Sequence, residues 1–278
     1  MADFEVLSVS LKDADAPQKF AKSLRETGFA VLKGHDIASN EIDAMYAEWS
    51  DWFEKDEKFD FAFKPGESDG YFGYKSENAK GAAHKDLKEF FHVYQNKPVP
   101  SSIEKTTRDF QAKMIATGAM LLRWLDENTP DDITFSEPLE NMINGSESNL
   151  LRVLHYPPLP DDVTPGETRA AAHGDINLIT LLVAGSEPGL QAQDTDGNWH
   201  DVPTEPGYIA VNAGDMLEQA SKGHYPSTVH RVVNPPAQEN RSRYSLPLFV
   251  HPRPEVVLDH QTAGEFLDER LREIGLKS

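Results

Sequence analysis

The chain is 278 residues long, enough for one substantial core, and its 38% hydrophobic and 26% charged content is that of a globular protein. With 27 Lys and Arg against 46 Asp and Glu its formal charge is −19, which argues against nucleic acid or an anionic membrane as partner, since both require basic surfaces. It contains no cysteine, so disulfides and thiolate metal ligands are excluded, and any metal must be held by His, Asp or Glu.

Met1 to Phe20 alternates acidic and apolar residues with neither a basic start nor an apolar core, and no later apolar run approaches the length of a spanning helix. This predicts a cytoplasmic protein that does not enter a membrane. Pro17 suits the start of a helix with Phe20 and Leu24 on one face and Gly28 as its stop. A short strand, Phe29 to Leu32, follows. Ser39 is a candidate cap for a second helix, in which Ile42, Met45, Tyr46, Trp49, Trp52 and Phe53 recur at helical spacing and read as packing core. Lys64 to Ala83 is rich in glycine, polar residues and aromatics and reads as a loop. Ser101-x-x-Glu104 reads as a capping box for a long helix, lined by Ile103, Phe110, Met114, Gly118, Leu121 and Leu125 and ending near Asn128.

From Asn149 the pattern turns to short β-type runs: Leu150–Tyr156, Ile179–Val183, Leu190–Gln193, Tyr208–Asn212, Thr228–Val233 and Tyr244–His251. Gly, Pro, Asn and Asp separate them, as in an antiparallel sandwich or jelly roll. Thr262-x-x-Glu265 opens a final helix with Phe266, Leu267, Leu271 and Ile274. Helices followed by strands predict an α+β chain, with residues 1–148 a helical N-terminal region packed on a catalytic core, 149–278, as one integrated domain.

Within the second half, His173-Gly174-Asp175 is a His-x-carboxylate pair, and His230 follows in a run of strong β propensity, Ser227 to Val233. Residues i and i+2 of a strand share a face, so His173 and Asp175 can aim together while a second strand delivers His230. Two imidazoles and one carboxylate on one face of a metal leave three positions open, the arrangement of non-heme Fe(II) oxygenases. Zinc accepts the same donors, but its structural sites are closed by four ligands, and the chain has no His-Glu-x-x-His helix for a zinc hydrolase. Thirteen residues beyond His230 stands Arg243-Tyr244-Ser245, a cationic fork and a hydroxyl matched to a carboxylate. His35, His84, His200, His251 and His260 read as surface or core residues.

The second half resembles the isopenicillin N synthase-like branch of the Fe(II)- and 2-oxoglutarate-dependent dioxygenases. The resemblance rests on Leu154-His155-Tyr156-Pro157-Pro158, His173-Gly174-Asp175 with Leu178 to Leu182, Gly189-Leu190-Gln191, Asn212-Ala213-Gly214-Asp215, His230-Arg231-Val232 and Arg243 to Pro247 with Phe249. The first half is similar to the same family at Gly28 to Leu32 and Asp86 to Phe91. The resemblance implies a distorted double-stranded β-helix with flanking helices and a facial triad of His173, Asp175 and His230 binding Fe(II). It implies that Arg243 and Ser245, joined by Tyr156, hold the distal carboxylate of 2-oxoglutarate. With O2 as the second cosubstrate, 2-oxoglutarate would be decarboxylated to succinate and CO2 while a C–H bond of a small organic substrate is hydroxylated, desaturated or closed into a ring. Two departures stand out. Leu154 replaces an asparagine common in plant members, and the chain after Pro252 is short for the branch.

Family analogy places first-half loops over the metal, with Tyr71, Phe72, Tyr74, Lys88, Phe91, His92, Asn177 and Tyr225 as candidate substrate contacts and Lys88 and Arg152 as partners for an anionic group. Rival readings are an oxidase of the same fold that uses O2 without 2-oxoglutarate, and a binding module that has lost its chemistry.

Overall fold

In the computed structural model the described residues are 4–77, 85–160, 168–184, 189–203, 205–235 and 239–273. His84 and Ile274 lie outside them. The elements in chain order are β1 (Ser8–Ser10), α1 (Ala16–Thr27), β2 (Phe29–Lys33), α2 (Ser39–Phe53), a 3-10 turn (Asp56–Phe61), β3 (Gly70–Phe72), β4 (Glu89–Tyr94), α3 (Glu104–Glu127), α4 (Leu139–Met142) and β5 (Leu150–Tyr156). They continue with β6 (Ala170–His173), β7 (Ile179–Val183), β8 (Leu190–Gln193), β9 (Trp199–Asp201), β10 (Ile209–Ala213), α5 (Asp215–Ala220), β11 (His230–Val232), β12 (Arg243–Val250) and α6 (Ala263–Glu273).

Local chemistry accounts for the helix ends. Pro17 occupies the first turn of α1, and Gly28 ends it in a left-handed conformation at φ 69°, its N–H bonded to the Leu24 carbonyl at 2.8 Å. A Cβ at Gly28 would stand 2.2 Å from Thr228 Oγ1, so only glycine lets this turn approach the segment leading into β11. Two caps differ from the sequence reading. The α2 cap is Ala38, whose N–H is taken by Glu41 at 3.0 Å, with Ser39 already helical. α3 begins at Glu104 behind Ile103, because Pro100 to Ile103 close a turn of their own (Ile103 N–H to Pro100 C=O, 3.1 Å) and bury Ile103, leaving Ser101 outside the helix. The Thr262–Glu265 capping box forms, with bonds of 2.8–3.3 Å.

The strands make two sheets. The larger has eight, in the order β1-β2-β10-β7-β12-β5-β4-β3, and the smaller four, β6-β11-β8-β9. Among the described residues these strands pair antiparallel with one another apart from the parallel pair β1–β2. This is the predicted jelly roll, extended by four strands from the first 148 residues. Phe29, Val31 and Ala210 of the larger sheet pack with Leu190 and Ala192 of the smaller one to fill one part of the sandwich. The back of the larger sheet is covered by α1, α2 and α3, whose Phe20, Leu24, Trp49, Trp52, Phe110, Met114 and Leu121 are at most 2% exposed in one continuous core. Trp49 completes its burial by donating to Thr107 Oγ1 at 3.0 Å. Among the described residues no helix is long and apolar enough to cross a membrane.

Candidate metal and cosubstrate site

Strand pairing brings the two histidines together. His173 ends β6, His230 begins β11, and the two are direct partners in the antiparallel ladder, with ring centroids 4.5 Å apart. Each Nδ1 faces a backbone carbonyl two residues back, His173 to Ala171 at 2.7 Å and His230 to Thr228 at 3.2 Å. That assigns each ring proton to Nδ1 and leaves both Nε2 lone pairs directed at one point. The Phe29 ring meets His230 edge-on at 5.7 Å and limits its rotation.

Asp175 completes the set from the loop after β6, beyond the strand end rather than within it. Its Oδ1 lies 3.9 Å from His173 Nε2 and 3.8 Å from His230 Nε2. Its Oδ2 accepts the Thr180 hydroxyl at 2.5 Å and Asn212 Nδ2 at 2.8 Å. Thr180 on β7 and Asn212 on β10 are themselves cross-strand partners. The larger sheet therefore holds one carboxylate oxygen and turns the other toward the histidines of the smaller sheet. The α5 start clamps the same loop, with Asp215 N–H on the Asp175 carbonyl at 2.7 Å and Gly214 N–H on Leu178 at 2.9 Å.

Electrostatics favour a cation among these atoms. Burial opposes the charge on Asp175, but the His230 and His173 rings and the Asn212 and Thr180 donors outweigh it and hold its carboxyl below the ordinary range. Close packing, then the adjacent His230 ring, push His173 below the ordinary histidine range, so its lone pair is available at neutral pH. One ligand atom from each residue lies within 4.8 Å of the others. Two imidazoles and a hydrogen-bonded carboxylate suit a divalent transition ion of mixed N/O preference. Asp175 and His230 are 4% and 10% exposed in their side chains and His173 37%, so the site opens on the His173 side.

Arg243, Ser245 and Tyr156 gather on the inward face of the larger sheet. Arg243 and Ser245 are two apart on β12, opposite Tyr156 and Leu154 of β5. All three are at most 3% exposed, and the Arg243 guanidinium lies 5.2 Å from the Tyr156 ring centroid. The Leu154 departure has a structural consequence. It packs with Phe90 and Tyr156 as an apolar wall beside Ser245 where an amide would have been polar.

The other candidate contacts divide. Phe72, Phe90, His92 and Arg152 line one surface, with Phe72 and Phe90 stacked at 4.6 Å and Arg152 over Phe90 at 4.7 Å and Phe249 at 5.4 Å. Tyr71 and Phe91 instead point under the helices against Trp52, since neighbouring strand residues alternate faces. Tyr225 is fully buried, its hydroxyl donating to the Leu125 carbonyl at 3.2 Å, and Asn177 braces the Asp175 loop through Ile179 C=O at 2.6 Å. Lys88 and Arg152 are not spare cations: Lys88 pairs with Asp86 and Glu77 at 2.8 and 3.0 Å, and Arg152 with Glu77 at 3.1 Å. Thr180 and Asn212 carried a legible signal that spacing arguments passed over: each is a polar residue inside an otherwise apolar strand.

Comparison with known proteins agrees with this arrangement. The model of the 2OG-Fe(II) oxygenase superfamily matches residues 147–252, and that of the N-terminal region of the non-haem dioxygenases of morphine synthesis matches residues 1–113. A Shewanella oneidensis protein described as an oxygenase is 44% identical in its crystal structure, with TM-score 0.88 over 98% of this chain and 99% of that one. A Caulobacter crescentus protein of the 2OG-Fe(II) oxygenase family is 33% identical, with TM-score 0.81 over 97% and 99%. A full-length Neurospora crassa protein crystallised in complex with alpha-KG and thymine shares the fold at 23% identity, TM-score 0.81, over 96% of each chain. A curated 2-oxoglutarate-dependent dioxygenase of Monascus ruber is 43% identical over 102 residues, 36% of this chain and 30% of that protein's length. By these matches along nearly its whole length, the chain belongs to the 2OG-Fe(II) oxygenase superfamily.

Proposed function

We propose that this protein is an Fe(II)- and 2-oxoglutarate-dependent dioxygenase that oxidises a C–H bond of a small organic molecule. His173 Nε2, Asp175 Oδ1 and His230 Nε2 hold the metal. Arg243 and Ser245 bind the distal carboxylate of 2-oxoglutarate, and Tyr156 backs the guanidinium through its ring. The bound iron supplies O2 activation coupled to decarboxylation of the cosubstrate to succinate and CO2. The protein's own residues bind and orient. The observation that carries the reading is the three-ligand cluster together with a buried Arg-x-Ser on β12, the strand beside the β7 that orients Asp175, in a chain of charge −19 that would otherwise repel a dicarboxylate.

The apolar cluster of Phe72, Phe90 and Leu154, packed with the Tyr156 that backs Arg243, offers a wall for a small substrate. The thymine held by the Neurospora crassa protein is of that size class. Because Lys88 and Arg152 are matched by Glu77 and Asp86, neither is an unmatched cation at this wall, and the substrate portion facing it is uncharged.

Anaerobic loading with Fe(II) followed by 2-oxoglutarate tests the assignment. The native protein should develop the metal-to-ligand charge-transfer band of a chelated 2-oxo acid, and Arg243→Ala should require about 10–100-fold more cosubstrate to reach it, the loss of a charge-assisted bidentate contact. Bound iron with no band in the native protein would overturn the cosubstrate assignment in favour of an oxidase that uses O2 alone or a binding protein without turnover.

A further inference from the structure

Among the described residues β6 is the outermost strand of the smaller sheet and pairs with β11, and the N–H and C=O of Ala171 find their partners outside that ladder. An unpaired strand edge at the mouth of a site is both a polar cost and a source of looseness. Residues 85–88 occupy that edge. Leu87 N–H donates to the Thr168 carbonyl at 3.1 Å, and Asp86 Oδ1 accepts Ala171 N–H at 3.1 Å. The other side of the same residue, the Ala171 carbonyl, accepts His173 Nδ1–H at 2.7 Å. Asp86 Oδ2 is held by Lys88 Nζ at 2.8 Å, Lys88 also reaches Glu77 at 3.0 Å, and Glu77 is gripped by Arg152 of β5 at 3.1 and 3.4 Å.

A continuous line of bonds therefore crosses the open mouth, from β5 of the larger sheet through Arg152, Glu77, Lys88 and Asp86 to the strand that carries His173. Asp86 is 4% and Lys88 6% exposed. Burying such charges returns little net stability even when they are fully paired, so their value lies in geometry. We propose that Asp86 is a positioning residue of the metal site: by fixing the Ala171 peptide it sets the direction of the His173 ring, and Lys88 holds Asp86 in place. The proposal rests on His173 being a metal ligand. It assigns Asp86 and Lys88, in the first half of the chain, a part in metal binding without direct ligation.

The test is anaerobic titration of the full-length apoprotein with Fe(II), and separately with Co(II), for the native chain, Asp86→Ala, Asp86→Asn and His173→Ala, with circular dichroism as the check on folding. Asp86→Ala should weaken metal binding about 10–100-fold, the usual effect of removing a group that orients a ligand, and should shift the Co(II) d–d bands. Asp86→Asn keeps an oxygen for Ala171 N–H but sets its amide N–H2 against Lys88 Nζ, so it should lose less affinity than Asp86→Ala and far less than His173→Ala. A folded Asp86→Ala protein with native affinity and bands overturns the proposal, as does a folded Asp86→Asn protein that binds metal no better than His173→Ala. The second criterion stands even where Asp86→Ala does not fold. If the native chain binds no metal, or His173→Ala binds it unchanged, the metal-site assignment itself fails. If those two behave as ligand and loss of ligand while Asp86→Ala is native-like, only the positioning role fails.

Discussion

His92 shows how a single side chain on β4 is committed to one protonation state. Its Nδ1–H donates to the Ser68 carbonyl at 2.8 Å and its Nε2 accepts Arg152 Nε–H at 2.9 Å. Protonating Nε2 would set a second N–H against the guanidinium. Burial, then the Arg152 charge, push its pKa down to about 3. A histidine depressed in the folded state contributes full stability above its unfolded pKa of about 6.5, and that stability is lost as pH falls toward the folded value, because the unfolded chain takes up a proton that the folded chain refuses. His251, pushed down to about 4 by burial, acts in the same direction. Urea unfolding between pH 7 and pH 5 should show stability falling with acidification, His92 contributing at most about 1.4 kcal/mol per pH unit. His92→Gln, whose amide can serve both partners, should flatten that slope, and an unchanged slope would contradict the neutral assignment. At this scale the candidate metal ligands are legible in the sequence because the donor set is rare and its spacing informative. The pairing of Lys88 and Arg152 with Glu77 was not, since nothing in their separation along the chain reports that one carboxylate lies between them.

Among the elements, the loop from Asp175 to Ile179 and the turn from β10 into α5 depend on each other. Gly214 lies between them, and a Cβ there would stand 2.3 Å from the Asn177 carbonyl oxygen and 2.9 Å from that of Asp175. Its φ of −112° is ordinary, so the constraint is contact with the loop and not backbone conformation. Gly214→Ala should therefore displace Asp175, costing about 1–3 kcal/mol as other overpacked sites do. It should also weaken Fe(II) binding about 10-fold or more, the scale seen when a ligand loses its orientation. Thermal melts and metal titration would read the two effects, and native metal affinity would show that the loop can yield without moving its carboxylate. The runs that became β5, β7, β8 and β12 are readable from β propensity and turn residues. β3 and β4 escaped for a physical reason. Both faces of β4 are covered, Phe90 and His92 by the mouth and Phe91 and Val93 by the helices, so no polar–apolar alternation remains to mark it.

At the scale of the molecule the candidate site is a junction. His173 and His230 belong to the smaller sheet, while Asp175 is aimed by Thr180 and Asn212 of the larger one. A metal bound there would join the two sheets as well as serve chemistry. Fe(II), or Mn(II) as a stable substitute, at about 100 times its Kd should raise stability by about 2.7 kcal/mol through linkage, visible as a higher melting temperature that chelation reverses. His230→Ala should abolish the increase. An equal increase in that variant would place the metal elsewhere.

The candidate ligand set, the Arg-x-Ser on a following strand, the jelly-roll class and the succession of its main strands along the chain could all be read from residue types and short-range spacing, because metal preference and strand alternation are local properties. Which strands become neighbours is not local. The pairing of His173 with His230, the two donors that orient Asp175, the turn of Tyr71 and Phe91 beneath the helices, and the bonded line from Arg152 to Ala171 all join residues distant in the chain. They follow from sheet order and from the way the first half folds along the free edge of β6, which only packing in three dimensions specifies.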